Sequence, residues 1–353
     1  MITIKEIADI VGVSTTTVSN VIHGKTKKVS SDNIERIQKV IREKKYIPRM
    51  GLSSLTNKQS HIIGVVIHIT KEYENTILSD PFYGQIVGYL ETYIREAGYY
   101  MMLYTSKDLN DIFKMAAAWN VDGLVAITFT YNNYQKIRSL TEKPIVAIDL
   151  YNESDDDYIN VGLDDEGGGY QMTRYLIENG FEKILLLASQ DIGVDHHRFI
   201  GYQRALKEYD IPYNEKYYIR LGNDPQKRAS KFNDLLKYTK KNYAMFFLSD
   251  LLAVEGMRYF IDHGVSIPND LSIAGFDDNL YAQLLSPQLS SVHQDVSLKA
   301  KITIETLMKI INDEPLEQTH ISLPVHLAIR GTIKTISRSQ PNRSELDKSK
   351  KNL

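Results

Sequence analysis

Residues 11–20 read VGVSTTTVSN, with three consecutive threonines, Thr15, Thr16 and Thr17, between apolar anchors. Threonine is β-branched and stiff at χ1, so each one costs a helix about half a kcal/mol relative to alanine. The flanks nevertheless have helical spacing. Upstream, Thr3-Ile4-Lys5-Glu6 has the form of a capping box, a Thr N-cap with Glu three positions on. The helix that follows takes Ile7, Ala8 and Ile10 as its apolar positions. It ends at Gly12, which supplies the left-handed backbone that helix C-termini commonly use. Ser14 then N-caps a second helix. Val18 and Val21 share one face of it, joined by Val13 just before the cap. Ala8, Gly12 and Val18 therefore fall at a small, turn and buried-apolar spacing, which predicts a helix-turn-helix.

The motif gives the threonines a use. Its second helix enters the DNA major groove with its N-terminal residues leading. With Val18 and Val21 facing inward, Thr15, Thr16 and Asn20 face the groove. Threonine offers a hydroxyl to base edges and a methyl to thymine, and asparagine pairs bidentately with adenine. Thr17 is expected to meet a phosphate or to pack. Thr3, Ser14 and Ser19 complete the expected DNA-contacting set. A third helix starts near Ser30 or Ser31, with Ile34, Ile37 and Ile41 inward and Glu35, Arg36, Lys39 and Arg42 outward. It stops by Tyr46-Ile47-Pro48, because proline disfavours helix in the residue before it. Residues 1–60 hold 11 Lys/Arg and 5 Asp/Glu, a net of +6. The other 293 hold 31 and 39, a net of −8, so the chain sums to −2. A basic segment on an acidic body suits a module that binds a polyanion.

At 353 residues the chain exceeds one small core, since a domain usually takes about 100–200 residues. It has no cysteine, which excludes disulfides, thiolate metal sites and cysteine nucleophiles and fits a reducing compartment. MITIKEIAD lacks the apolar core of a signal peptide, and no stretch suggests a membrane span. A cytoplasmic protein is expected. Beyond residue 60, short apolar runs alternate with amphipathic stretches. Strands are expected at 62–69, 99–104, 122–128, 144–149, 183–188, 244–249 and 271–276. Helices are expected at Phe82–Ala97, Asp165–Asn179, Arg198–Tyr209 and Asp250–His263. Gly98, Gly180 and Gly264 follow three of these as C-terminal caps. The alternation predicts an α/β body of parallel sheets with helices on both faces, in two side-by-side lobes. Ligands of such folds sit at the C-terminal ends of the strands, in the cleft between lobes.

Several polar residues stand at those ends. Asp149 closes PIVAID, Asp277 closes LSIAGF with Asp278 next, Ser249-Asp250 follows AMFFL, and Arg198 opens a helix. Carboxylates accept from sugar hydroxyls, and arginine donates in a fork. Phe82 and Phe129 offer aromatic faces for a sugar ring. Asp149 and Asp277 also suit helix caps, and Asp80 before Pro81 reads as one. Two carboxylates with one arginine disfavour a phosphate, so a neutral sugar is expected. Other constellations point nowhere. His196 and His197 are adjacent and cannot share a helix face as metal ligands do. Asp155-Asp156-Asp157 lacks the spacing of a calcium loop. Gly167-Gly168-Gly169 lacks the Gly-Lys-Ser/Thr of a P-loop. No base–nucleophile pair stands out, so no enzyme, cofactor or metal is expected, although an enzyme body on a DNA-binding module is the competing class.

TIKEIADIVGVSTTTVSNVIHG (3–24), VSSDNIERIQKVIREKKYIPR (29–49) and the strand-end residues together resemble the LacI/GalR family of bacterial transcription regulators, over about residues 2–336. The resemblance implies a DNA-binding domain at 1–48, a hinge helix or linker at 49–60 and a sensor like the periplasmic sugar-binding proteins at 61–336. The chain would cross between lobes near 161–163, 290–294 and 322–325. Lobe 1 would take about 61–161 and 294–322, and lobe 2 about 163–290 and 325–336. In the hinge, Leu55 matches the leucine that wedges into the minor groove, with Leu52 beside it. Arg49, Leu52 and Ser53 depart from the usual Asn, Ala and Arg. Asp149, Arg198, Asp277 and Ser249 match effector-contacting positions. The implied function is a repressor of carbohydrate-use genes, cytoplasmic and on the nucleoid when bound to double-stranded DNA at a palindromic operator. Its control would be allosteric, by a sugar or, as in catabolite-control members, by a phosphocarrier protein. The polar tail 337–353 has no leucine heptads and is expected to be disordered, which leaves a homodimer.

Overall fold

The structure is a computed structural model that describes residues 2–22, 24–44, 46, 59–69, 77–152, 157–222 and 224–336. Leu52 and Leu55, the rest of 47–58, Asp155, Asp156 and the tail 337–353 lie outside the described residues. The chain divides into two units, Met1–Ser60 and His61–Leu353.

In the first unit, α1 (Ile4–Val11), α2 (Thr15–Ile22) and α3 (Ser31–Glu43) enclose a core of Ile7, Ala8, Val11, Val18, Val21 and Ile37. The Thr3 capping box is formed: the Glu6 amide donates to the Thr3 hydroxyl, and the Thr3 amide donates to the Glu6 carboxylate at 2.7 Å. Gly12 turns the chain at φ 73°. One expectation is corrected. Ile10 is 53% exposed, because the inward stripe runs 7, 8, 11 and leaves position 10 on the outer face. Arg36 stays exposed, as its outward position requires, and its guanidinium also donates to the Val11 carbonyl at 2.8 Å. That satisfies one of the carbonyls a helix end leaves without an intrahelical partner.

The second unit runs β1 (Ile62–His68), α4 (Pro81–Glu96), β2 (Tyr100–Ser106), α5 (Leu109–Trp119), β3 (Gly123–Ile127), α6 (Tyr131–Thr141), β4 (Ile145–Ile148), β5 (Asn160–Leu163), α7 (Asp165–Glu178), β6 (Lys183–Ala188), α8 (Val194–Glu208), β7 (Tyr218–Arg220), α9 (Pro225–Leu235), β8 (Tyr243–Phe247), α10 (Asp250–Asp262), β9 (Ser272–Asp277), α11 (Leu280–Leu284), β10 (Ser290–His293), α12 (Val296–Ile311), β11 (His320–Leu323) and β12 (His326–Ala328). Two six-stranded sheets result, ordered β11-β5-β4-β3-β1-β2 and β12-β10-β9-β8-β6-β7. All pairings are parallel except β12 on β10. Every residue of β3 and β4 is buried, as a parallel sheet covered on both faces requires. The second unit is thus a two-lobed α/β body, and the first a small helical module.

The seven expected strands are present with ends shifted by a residue or two, and five more appear. β5, β7, β10, β11 and β12 are three or four residues long and carry Asn, Ser, His or Arg, so none shows as an apolar run. Lobe 1 contains β1–β5 and β11, with α12 packed on α4, β3, β4 and β5. Lobe 2 contains β6–β10 and β12. The chain passes between lobes after β5, after β10 and after β11.

The triple glycine has a packing use. A Cβ on Gly169 would stand 2.1 Å from the Arg198 carbonyl oxygen, and one on Gly201 would stand 1.9 Å from that of Glu166. α7 and α8 therefore touch backbone to backbone at 169 and 201, while Gly167 faces the Asp164 side chain and Gly168 the Phe276 ring.

Candidate functional site

On α2 the threonine run divides by position. The Ser14 hydroxyl accepts from the Thr17 amide at 3.1 Å and lies 2.9 Å from the Thr17 hydroxyl. Ser14 and Thr17 thus close the helix N-terminus on each other. Thr15 and Thr16 are exposed, Ser19 and Asn20 half-buried, Val18 and Val21 buried. Lys25, Lys27 and Lys28 follow directly, so the exposed face of α2 adjoins positive charge.

In the body, residues from both lobes meet at the C-terminal strand ends. Asp149 follows β4 at φ 53°, and Asp277 ends β9 at φ 120°. Backbone in that region is costly outside glycine and concentrates at functional sites. Both Asp149 oxygens accept from the Lys299 ammonium, each at 2.8 Å. The third Lys299 donor goes to Gln294 Oε1 at 2.9 Å, and Gln294 Nε2 donates to Asp277 Oδ1 at 2.6 Å. Lys299 lies on α12 of lobe 1, and Gln294 follows β10 where the chain changes lobes. The polar chain thus runs from Asp149 of lobe 1 to Asp277 of lobe 2. Arg198 on α8 donates through Nε to Asp165 at 2.7 Å and through Nη1 to the Leu248 carbonyl. Its Nη2 stands 4.0 Å from Asp277, and its guanidinium lies 3.5 Å over the Phe276 ring. Tyr151 of lobe 1 donates to Asp165 of lobe 2, and its ring lies tilted against that of His197 with centroids 4.1 Å apart. The Phe82 ring lies 5.2 Å from the Lys299 ammonium.

Burial pushes the Asp277 carboxyl up to about 7; Arg198 opposes this, and the charge of Asp80 reinforces it. Burial also raises Asp149, against the pull of Lys299. Asp250 is raised well above the carboxylate range, first by burial and then by the charge of Asp277. Asp250 accepts from the Asn279 amide at 2.9 Å and the Ser291 hydroxyl at 2.7 Å.

These shifts carry a sign. An unfolded Asp titrates near 4, so between about pH 4 and 7 the folded chain holds a proton on Asp277 that the unfolded chain has lost. Stability therefore falls as pH rises through that window. Asp277→Asn is expected to flatten part of the fall in urea midpoints measured from pH 4 to 8. An unchanged profile would mean that Asp277 is ionised throughout.

Residues 3–49 match the family described as bacterial regulatory proteins, lacI family, and residues 173–333 match the periplasmic binding protein-like domain. The chain joins a lacI-family segment to a periplasmic binding protein-like domain. Among relatives, the HTH-type transcriptional repressor PurR of Vibrio atlanticus (strain LGP32) is 29% identical over 348 residues, covering 96% of this chain and 100% of the relative. Among solved structures, the transcriptional regulator CelR–cellobiose complex matches with a TM-score of 0.69 at 25% identity, covering 94% of this chain and 100% of that one. The lac repressor dimer bound to operator and the anti-inducer ONPF matches with a TM-score of 0.80 at 22% identity, covering 94% and 99%. That last likeness is one of fold.

The geometry of the body sorts the expected site residues. Asp149, Arg198, Asp277 and Phe82 come together around Lys299 and Gln294. Phe129 does not join them. It is buried in the lobe-1 core, its ring 5.8 Å from that of His68, so the face expected to cover a sugar is covered by protein. Ser249 caps α10, its hydroxyl accepting from the Leu251 amide at 3.2 Å. The helix after Asp277 is capped by Asn279, and Asp80 caps α4 through the Phe82 amide at 2.9 Å. Two surface hollows of about 570 and 500 Å³ lie elsewhere on lobe 1, and none of the expected effector residues lines either. Among the described residues no group of three metal-ligating side chains occurs, and no helix is long and apolar enough to cross a membrane.

Asp165, Tyr151, Gln294 and Lys299 escaped the sequence reading. Lys299 left a signal. It stands three residues after Val296 and four before Thr303, on the inward stripe of α12, where a lysine needs a buried partner.

Proposed function

We propose that this protein is a sequence-specific transcriptional repressor of carbohydrate-use genes, and that a neutral sugar held between the lobes sets its operator affinity. The observation that carries the reading is the cross-lobe cluster. Arg198 and Asp277 offer a donor and an acceptor from lobe 2, tied through Gln294 and Lys299 to Asp149 of lobe 1, with the Phe82 ring alongside. The cellobiose named with the CelR structure supports a sugar. Carboxylates outnumber the two cations in the cluster, which disfavours a phosphorylated ligand.

On DNA, Thr15, Thr16 and Asn20 read base edges, and Thr3, Ser14, Thr17 and Ser19 meet the backbone. Leu55 wedges the minor groove, with Leu52 beside it in the DNA-contacting set. The protein works as a homodimer on a palindrome. Leu280, Tyr281 and Leu284 of α11, exposed by 56, 46 and 72%, form an apolar patch suited to a second copy. A ligand that favours one lobe orientation changes operator affinity by its coupling free energy, of order 1–3 kcal/mol or roughly 5- to 150-fold.

The test is thermal unfolding of wild type and Asp277→Ala against neutral sugars, sugar phosphates and nucleosides. A ligand at 100 times its Kd adds about 2.7 kcal/mol, a visible shift. One neutral sugar should shift wild type and not Asp277→Ala. A nucleoside shift would replace the sugar; no shift with any compound would move control to a protein partner of phosphocarrier type. Asn20→Ala should weaken operator binding by about 1–3 kcal/mol and leave the sugar response intact, read by fluorescence anisotropy on labelled operator DNA.

A further inference from the structure

A fully buried lysine is rare because its ammonium must find partners away from water. Lys299 is such a residue, with no exposed side-chain area. Its helical neighbours Val296, Ala300 and Thr303 are buried too, so an apolar side chain would have completed the stripe. Instead the ammonium reaches the end of β4 and spends all three of its donors, two on Asp149 and one on Gln294. The Phe82 face lies 5.2 Å away, a distance at which a ring attracts a cation. Asp149 therefore meets any guest with its charge already balanced from inside the protein. Asp165 is balanced likewise by Arg198.

We propose that Lys299 is a specificity-determining residue: a built-in cation that fills the ammonium subsite at Asp149, so that the cleft takes uncharged polyols and refuses amino sugars. The inference rests on the neutral-sugar reading and deepens it. A ligand hydroxyl can still donate to lone pairs that Lys299 leaves open on the Asp149 oxygens. A ligand ammonium at the same place would face Lys299 at close range, charge against like charge, with little water to screen it. Removing the lysine inverts the preference, because it leaves a buried carboxylate that lacks a counter-ion.

The experiment uses the full chain and Lys299→Met, which keeps length and loses charge. Thermal midpoints are recorded with a neutral hexose that shifts wild type and with its 2-amino-2-deoxy counterpart. Wild type should respond to the hexose and at least tenfold more weakly to the amino sugar, and Lys299→Met should reverse that order. A merely structural lysine would lower the midpoint and leave the order unchanged, which overturns the proposal, as does wild type taking both ligands equally. In Asp149→Asn/Lys299→Met the gained amino-sugar response should vanish, since the anion is gone; its persistence also counts against the proposal. Should Lys299→Met fail to fold, Lys299→Ala is refolded in ethylammonium chloride or in sodium chloride of equal strength. Recovery with the amine alone supports the subsite, and equal recovery in both salts overturns it. If no sugar shifts wild type, the neutral-sugar reading falls, and the amine arm still decides whether an ammonium subsite exists at Asp149.

Discussion

Arg198→Ala should lower the unfolding free energy by about 3–5 kcal/mol, the cost of stranding a buried charge, and abolish the sugar response. The stranded group is Asp165, whose side chain is 0% exposed and whose Oδ1 takes the Arg198 Nε at 2.7 Å. The Leu248 carbonyl loses a donor as well. Asp165 would keep only the Tyr151 hydroxyl among the bonds described here, and a neutral donor does not balance a carboxylate away from water. Arg198→Met/Asp165→Asn should recover most of the loss, because no unpaired charge remains and Tyr151 can still donate to the amide oxygen. The sugar response should stay absent in the double variant, since the guanidinium beside Asp277 is gone. Urea unfolding followed by circular dichroism checks both. If the single variant unfolds no more easily than wild type, the Arg198–Asp165 pair contributes nothing net, and Arg198 belongs to ligand recognition alone.

Gly201→Ala should be nearly as damaging. Its Cβ would lie 1.9 Å from the Glu166 carbonyl oxygen and 2.6 Å from the Tyr170 amide nitrogen. Both obstacles are backbone, so no side chain can swing aside and the helices must part. Overpacking of this kind costs about 1–3 kcal/mol and sometimes more. The consequence reaches the site, because α7 carries Asp165 at its first turn and α8 carries Arg198. Parting the helices stretches their ion pair, so stability and sugar response should fall together. Gly88→Ala on α4 is the control. Nothing lies within 4 Å of its Cβ, and alanine gains up to about 1 kcal/mol over glycine in a helix. If Gly201→Ala matched that control, the backbone contact between α7 and α8 would be looser than the structure has it.

Most of the local structure was legible from residue 1 onward. The Thr3–Glu6 box, Gly12, Ser14 and the Val18–Val21 face are signals within one or two turns, and each is realised as read. The seven expected strands were legible because each carries an apolar run, even the four residues Ile145–Ile148. The five short strands were not, since three or four residues with Ser, His or Asn carry no period. Ile10 was misplaced for a related reason: an eight-residue helix admits two neighbouring stripes, and only its partners choose between them.

The site divides along the same line. The sequence by itself determined the helix-turn-helix, the α/β alternation and the polar residues at the ends of β4, β8 and β9, because caps, periodicity and strand ends are local. What only the tertiary structure decided is which of those residues meet. Phe129 went to the lobe-1 core while Phe82 stayed beside the cluster. Gly169 of the triple glycine became a contact between helices. Lys299, 150 positions from Asp149, became its counter-ion. Such pairings join residues far apart in the chain, and they are settled by how sheets and helices stack, which no short window of sequence records.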